Sequence, residues 1–176
     1  LDSGISVLKI EGRGRSPDYV YVVVKSYKEA VDSCLNGTYT QEKINYWTKE
    51  LEKVYNRGFW QGGYYLGKKL GEWSGGYGNQ SKKEKVFIGI ARHYFPKTQI
   101  GEFFLQFGVI EIGDEIIITG KTTGIIKQKI ESLYVDEKPV SKSKKGEIIT
   151  IKLNEKIRKN DKLYIVKDRK EMQDTF

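Results

Sequence analysis

RGFWQGGYYLGKKLGEWSGGYG, residues Arg57 to Gly78, separates a half with helical periodicity from a half built of short β-branched runs. Eight of these 22 residues are glycine and six are aromatic (Phe59, Trp60, Tyr64, Tyr65, Trp73 and Tyr77). A backbone free to take positive φ thus carries the bulkiest apolar surfaces of the chain, and such a segment folds against something. It reads as a junction. No phosphate loop is present: Gly62 to Lys69, GGYYLGKK, has Lys where Ser or Thr is required, and no strand precedes it. Trp60, Tyr64, Tyr65 and Trp73 are candidate substrate-binding residues, able to stack on bases or grip a peptide. Mortar between a helical layer and a β layer is the favoured role, because an exposed patch of that size is a liability.

Upstream, Ile5 to Ile10 reads as a short strand bounded by glycines. Ser16 as N-cap, Pro17 at the first helical position, Asp18 in the first turn and Gly37 as the stop predict a helix from Pro17 to Asn36. Val20, Val23, Val24, Tyr27, Val31, Cys34 and Leu35 recur every three or four residues, which predicts one apolar face with Cys34 packed on it. A second helix is predicted from Gln41 to Asn56, capped by Thr40, with Ile44, Trp47, Leu51, Val54 and Tyr55 as its stripe.

Downstream, Gln80 to Lys85 is a basic linker. Strands are then predicted at 86–94, 101–107, 114–120, 124–135, 138–140, 147–153 and 162–167. Alternation is clear in Val86, Ile88 and Ile90, in Phe103, Leu105 and Phe107, and in Ile149, Ile151 and Leu153. Six or seven short strands with no helix between them bury one face best by closing into a small antiparallel barrel, which also removes sticky edges. Residues 168–176 read as a frayed tail.

The chain has 176 residues and a net charge of +8. Residues 81–176 hold 20 Lys+Arg against 14 Asp+Glu, a net +6, so the basic character belongs to the β half and makes a polyanion such as RNA a possible partner. Lys142, Lys144 and Lys145 form a loop cluster able to touch phosphates, although a solvated loop is the favoured account of them. The single cysteine, Cys34, excludes an intrachain disulfide and a multi-cysteine metal site; a cytoplasmic location is expected. His93, the only histidine, has no neighbouring ligand residues and reads as structural, so no metal site is assigned. The longest apolar run, Tyr19 to Val24, is too short to span a bilayer, and no membrane partner is expected. Leu1 stands where a complete chain would carry Met, and the sequence reads as a fragment.

The most specific local signal is LKIEGRGRSP, Leu8 to Pro17. Lys9, Glu11 and Arg13 alternate with Leu8 and Ile10, as on one face of a strand. In a parallel barrel, charges at the C-terminal end of a strand face the active site, so these three are candidate catalytic residues. With the helix starting after Ser16, Arg13, Arg15 and Ser16 together are a candidate anion-binding set. An edge strand with solvated charges is the alternative.

LKIEGRGRSPDYVYVVVKSYKEAVD, together with ELEKVYNRGFWQGGYYLGKKLGEWS, resembles the C-terminal part of the collagenase-like peptidases of class U-32. The first segment is similar to that family's KIEGR strand end (Lys9, Ile10, Glu11, Gly12, Arg13), the second to its Asn56-Arg57-Gly58-Phe59 turn. The β half, with VIEIGDEIIITGKTTG and KIRKNDKLYIV, is similar to the second domain of elongation factor Tu.

The resemblance implies an α+β chain in which an N-terminal strand and two helices, the remnant of a catalytic α/β barrel plus a connector (1–56), pass through a junction (57–84) into an accessory closed β-barrel of six or seven strands (85–167). It implies a hydrolase parent acting on a peptide or protein. Relatives that hydroxylate RNA with an iron–sulfur cluster make an RNA-binding module the alternative. The family's cysteine signature is missing, so any metal ion or cluster of the parent lies outside this segment, which is not catalytically complete alone. Oligomeric state is left open.

Overall fold

The computed structural model describes residues 1, 4–56 and 80–169, and the Gly/aromatic junction lies outside them. Two compact units are present, one reaching to Lys83 and the other comprising Glu84–Asp168.

In the first unit, α1 spans Pro17–Leu35 and α2 spans Gln41–Glu52. The start of α1 falls where Ser16 and Pro17 predict it, although the Ser16 side chain makes no capping bond. Gly37, at φ +65, lets the chain leave the helix, and Thr38 N donates to Ser33 O at 2.8 Å. Thr40 caps α2 by accepting from Lys43 N. That helix ends at Glu52, a turn earlier than predicted.

Two expectations for this unit fail. The predicted strand at Ile5–Ile10 does not form: among the described residues no segment pairs with it, and a lone strand cannot satisfy its backbone. Its Val7 is 80% exposed. The predicted apolar stripe of α1 is also rotated. Val22, Val23, Ser26 and Ser33 are buried, while Val24, Tyr27 and Leu35 are exposed. Cys34, expected to pack, is exposed as well. The run Val20 to Val24 is apolar on both sides, so α2 selects the face, and Val22, Val23 and Val54 make the small core with Ile10, Tyr19 and Leu51 around it.

The second unit has ten strands: β1 (Lys83–Phe95), β2 (Ile100–Leu105), β3 (Val109–Glu111), β4 (Glu115–Gly120), β5 (Gly124–Lys129), β6 (Leu133–Val135), β7 (Lys138–Pro139), β8 (Lys142–Lys144), β9 (Ile148–Lys152) and β10 (Lys162–Asp168). Eight form one sheet in the order β5-β4-β10-β1-β2-β9-β6-β7, and β3 pairs with β8 in a separate ribbon. The pairs β1–β2, β2–β9, β9–β6, β6–β7, β10–β4, β4–β5 and β3–β8 are antiparallel.

The sheet is open, which corrects the expected closed barrel and removes the ground for likening this half to the translation-factor barrel. Its two end strands, β5 and β7, do not pair with each other. At the β5 edge a side chain takes the place of a strand: Gln128 Nε2 donates to Lys152 O at 2.8 Å and its Oε1 accepts from Asn154 N at 3.1 Å. At the other end β7 is two residues long and contains Pro139, which has no N–H to offer a neighbour.

One face nevertheless seals a continuous core. Ile88, Phe103, Leu105, Ile116, Ile118, Ile149, Ile151 and Leu163 are fully buried in one cluster that draws on most of the sheet, so the sheet curls around it. Each such side chain contributes about 1.5–3 kcal/mol relative to exposure. Gly101 is required there: a Cβ would lie 2.5 Å from Leu153 Cδ1. A bulge near Ile88, whose carbonyl accepts from both Gln106 N (2.8 Å) and Phe107 N (3.1 Å), ends the β2 alternation, and Phe107 swings outward instead of joining Phe103 and Leu105.

Candidate functional site

Lys9, Glu11 and Arg13 lie on an exposed segment before α1, not on a strand face. Glu11 Oε1 accepts from Arg13 N at 2.7 Å, and Arg15 N donates to Gly12 O at 3.0 Å, so the Glu11 carboxylate shapes the turn that leads into the helix. Arg15 points its guanidinium at aromatic rings, 3.8 Å from the Tyr55 centroid and 5.8 Å from that of Tyr19, which meet edge to face. Arg13 stays exposed in solvent, and Ser16 offers no capping bond. Trp60, Tyr64, Tyr65 and Trp73 lie outside the described residues.

Of the lysine cluster, Lys142 and Lys144 are on β8 and Lys145 follows it, all three exposed. Lys142 Nζ stands 4.0 Å from Glu111 Oε2. The turn beneath is fixed by Glu147, whose Oε2 accepts from Ser143 Oγ at 2.7 Å and from Lys144 N at 2.9 Å. The Ser143 hydroxyl first, and the Lys144 N–H second, hold its carboxyl below the ordinary glutamate range.

Lys145 leads to a feature that residue-by-residue reading missed. Its Nζ lies 5.9 Å from the Phe107 ring; Phe107 packs at 5.9 Å from Phe87, Phe87 at 5.7 Å from Tyr164, and Lys85 Nζ lies 5.2 Å from Tyr164. Three rings in a row, with an ammonium at each end, form a strip outside the core. Phe107 is 54% exposed. The signal was present in the alternation: Leu163 and Ile165 point inward and are buried, so Tyr164 must point outward, where an aromatic residue is unexpected.

His93 is exposed on β1 with its ring 4.5 Å from Phe95. Among the described residues, no three His, Cys, Asp or Glu side chains converge as metal ligands, and no helix is long and apolar enough to cross a membrane. Cys34, the chain's one cysteine, sits alone near the end of α1, so a cluster held by several thiolates does not fit these residues, and no chemical step is assigned to one.

Residues 1–75 match the family model described as Peptidase family U32. A collagenase of Porphyromonas gingivalis is 47% identical over 171 residues, covering 97% of this chain and 41% of the collagenase. The tRNA hydroxylation protein P1 of Bacillus subtilis is 27% identical over 147 residues, covering 78% of this chain and 32% of that protein. Among solved structures, the C-terminal domain of a Geobacillus thermoleovorans protein described as a U32 peptidase is similar with a TM-score of 0.43 at 19% identity, covering 44% of this chain and 96% of that domain. The chain thus spans less than half the length of the curated relatives it matches.

Proposed function

From this homology to the U32 peptidases we propose that the chain is the accessory C-terminal region of a larger enzyme of that family, holding its protein substrate without a complete catalytic centre of its own. The observation that carries the binding role is the strip Phe107–Phe87–Tyr164 with Lys145 and Lys85 at its ends. Adjacent rings, Phe107 exposed and Phe87 and Tyr164 half-buried, suit the apolar side chains of an unfolded polypeptide, and the collagenase among the relatives makes an unfolded, collagen-like chain the substrate class. Exposed Val24, Tyr27 and Leu35 on α1, with Ile5, Val7 and Leu8 before it, supply the apolar surface on which the rest of the enzyme packs. Lys9, Glu11 and Arg13 lie in that same segment and are the residues placed toward the catalytic centre. A cytoplasmic enzyme remains part of this reading.

A second reading is favoured by the lysines. Lys145 stands beside Phe107 and follows Lys142 and Lys144 of β8, and rings flanked by cations also suit single-stranded RNA, the kind of partner that a relative acting in tRNA hydroxylation needs.

Fluorescence anisotropy with a labelled gelatin peptide and a labelled single-stranded RNA separates the two. Gelatin binding that changes little with salt and weakens about tenfold in Phe107→Ala, a loss typical of a hot-spot aromatic residue, is expected. RNA binding that is tighter, falls steeply with salt and is lost on charge reversal of Lys142, Lys144 and Lys145 would replace the peptide reading with the RNA one. Binding of neither probe would remove the strip as a site.

A further inference from the structure

The C-terminal half of α1 and the first turns of α2 border a pocket of 370 Å³ in the first unit. That lies within the range of small-molecule sites, roughly 300–1,000 Å³. Among its lining residues, Lys43 Nζ donates to Ser33 Oγ at 3.0 Å and Thr38 Oγ1 at 2.9 Å, and the two hydroxyl oxygens are 3.0 Å apart. Ser33 is buried, and among the described residues no carboxylate lies within 4.0 Å of the Lys43 ammonium. An ammonium has three N–H donors, so one remains for a ligand oxygen.

The carboxylates of Glu29, one turn before Ser33 on α1, and Asp32, immediately before it, also line the pocket. Glu29 Oε2 accepts from Trp47 Nε1 at 3.0 Å, and Asp32 Oδ2 accepts from Lys28 Nζ at 2.8 Å. Glu29 Oε1 also stands 3.8 Å from Lys25 Nζ, a long and partly exposed pair, and a carboxylate oxygen can accept more than one hydrogen bond, so both groups keep acceptor capacity. Trp47, almost wholly buried, and Tyr46, 52% exposed, give the pocket an aromatic wall.

We infer that this pocket binds a zwitterion of the α-amino-acid type, a free amino acid or a short peptide. The ligand carboxylate meets Lys43 with the Ser33 and Thr38 hydroxyls, its ammonium meets Asp32 and Glu29, and an apolar side chain lies along Tyr46 and Trp47. A carboxylate alone is attracted by Lys43 but repelled by Asp32 and Glu29, and an amine alone meets the reverse. Only a molecule with both charges a few ångströms apart satisfies the whole set.

The test uses the whole chain labelled with 15N, following the Trp47 indole N–H resonance, which is identified by its loss in Trp47→Phe. L-leucine is expected to shift it saturably with a dissociation constant on the order of 1 mM or tighter. Leucine amide, which lacks the carboxylate, and 4-methylpentanoate, which lacks the amine, are each expected to bind at least tenfold more weakly. Lys43→Met is expected to weaken leucine binding at least tenfold. Because Lys43 also ties Ser33 to Thr38, Tyr46→Ala on the exposed rim is the second variant, expected to weaken binding severalfold with an unchanged helical circular dichroism spectrum. Leucine amide binding as tightly as leucine, no saturable shift in the unaltered chain, or Tyr46→Ala binding unchanged would overturn the inference.

Discussion

Asp161→Ala is expected to destabilise the second unit by about 2–4 kcal/mol. The side chain is 5% exposed, and its Oδ2 accepts from Thr123 Oγ1 at 2.6 Å and from Arg158 N at 2.7 Å. Its backbone continues the same connection: Ala91 N donates to Asp161 O at 2.8 Å, and Asn160 N to Ala91 O at 2.8 Å. One residue therefore ties the β4–β5 turn, the turn before β10 and the middle of β1. Gly120 leaves it room, since a Cβ there would fall 1.8 Å from Asp161 Oδ1. Hydrogen bonds to a charged acceptor contribute roughly 1.5–3 kcal/mol each, and two are lost. Arg158 is exposed and Thr123 half-buried, so water recovers part of that, which sets the lower bound. Asp161→Asn keeps the shape and one acceptor, and should cost about half as much. Native-state hydrogen exchange at Leu163 and Ile118, paired across β10 and β4, reads the stability of this unit separately from the helical one. An Ala variant within about 0.5 kcal/mol of the parent would refute the reasoning, because it would mean that desolvating the carboxylate costs as much as its bonds return.

Glu147 gives a pH dependence. Its folded pKa lies below the unfolded value of roughly 4.3, so its contribution to the β8–β9 turn is complete above that pH and is lost as pH falls through the folded pKa. A carbon-13 titration should place the midpoint below the ordinary value, and Ser143→Ala should raise it; an unmoved midpoint would show that the Ser143 bond is not the main cause. In the larger enzyme proposed above, Glu11→Gln and Arg13→Ala are expected to lower turnover while leaving thermal unfolding within a degree or two, as exposed positions usually do. Loss of activity and stability together would make the turn they form purely structural.

Local rules located most elements and failed where a partner decides. Ser16, Pro17 and Gly37 bracket α1 because caps and breakers act through the backbone of their own segment. Alternation at Ile149, Ile151 and Leu153 reports their burial for the same reason. The face of α1 does not follow, since Val20 to Val24 offers apolar surface all round and only α2 distinguishes Val22 from Val24. Closure of the sheet does not follow either: it depends on whether β5 can reach β7, and nothing in either strand's own sequence encodes that. The ribbon of β3 and β8 was missed because Val109–Glu111 and Lys142–Lys144 are three residues each, below the length at which a period is visible. The aromatic strip was hidden differently: Phe87, Phe107 and Tyr164 are distant in sequence and meet only through the sheet order and the bulge at Ile88.

That strip also contains its own control. Tyr164 stands directly opposite Ile117 in the β10–β4 register, and Ile117 is 6% exposed although it points away from the main core. Cross-strand neighbours on one face cover each other, so Tyr164 has a structural task whatever else it does. Phe107 has no comparable one: it is 54% exposed, was turned outward by the bulge, and touches Phe87 from beyond the end of β2. Folding alone therefore accounts for Tyr164 but leaves Phe107 unexplained, because a sheet whose inner face is already sealed gains little from an exposed ring on its outer one. If the strip holds a ligand, truncating Phe107 should separate binding from stability, and truncating Tyr164 should lower both. A Phe107 variant that loses as much stability as a Tyr164 variant would instead assign the whole strip to the fold.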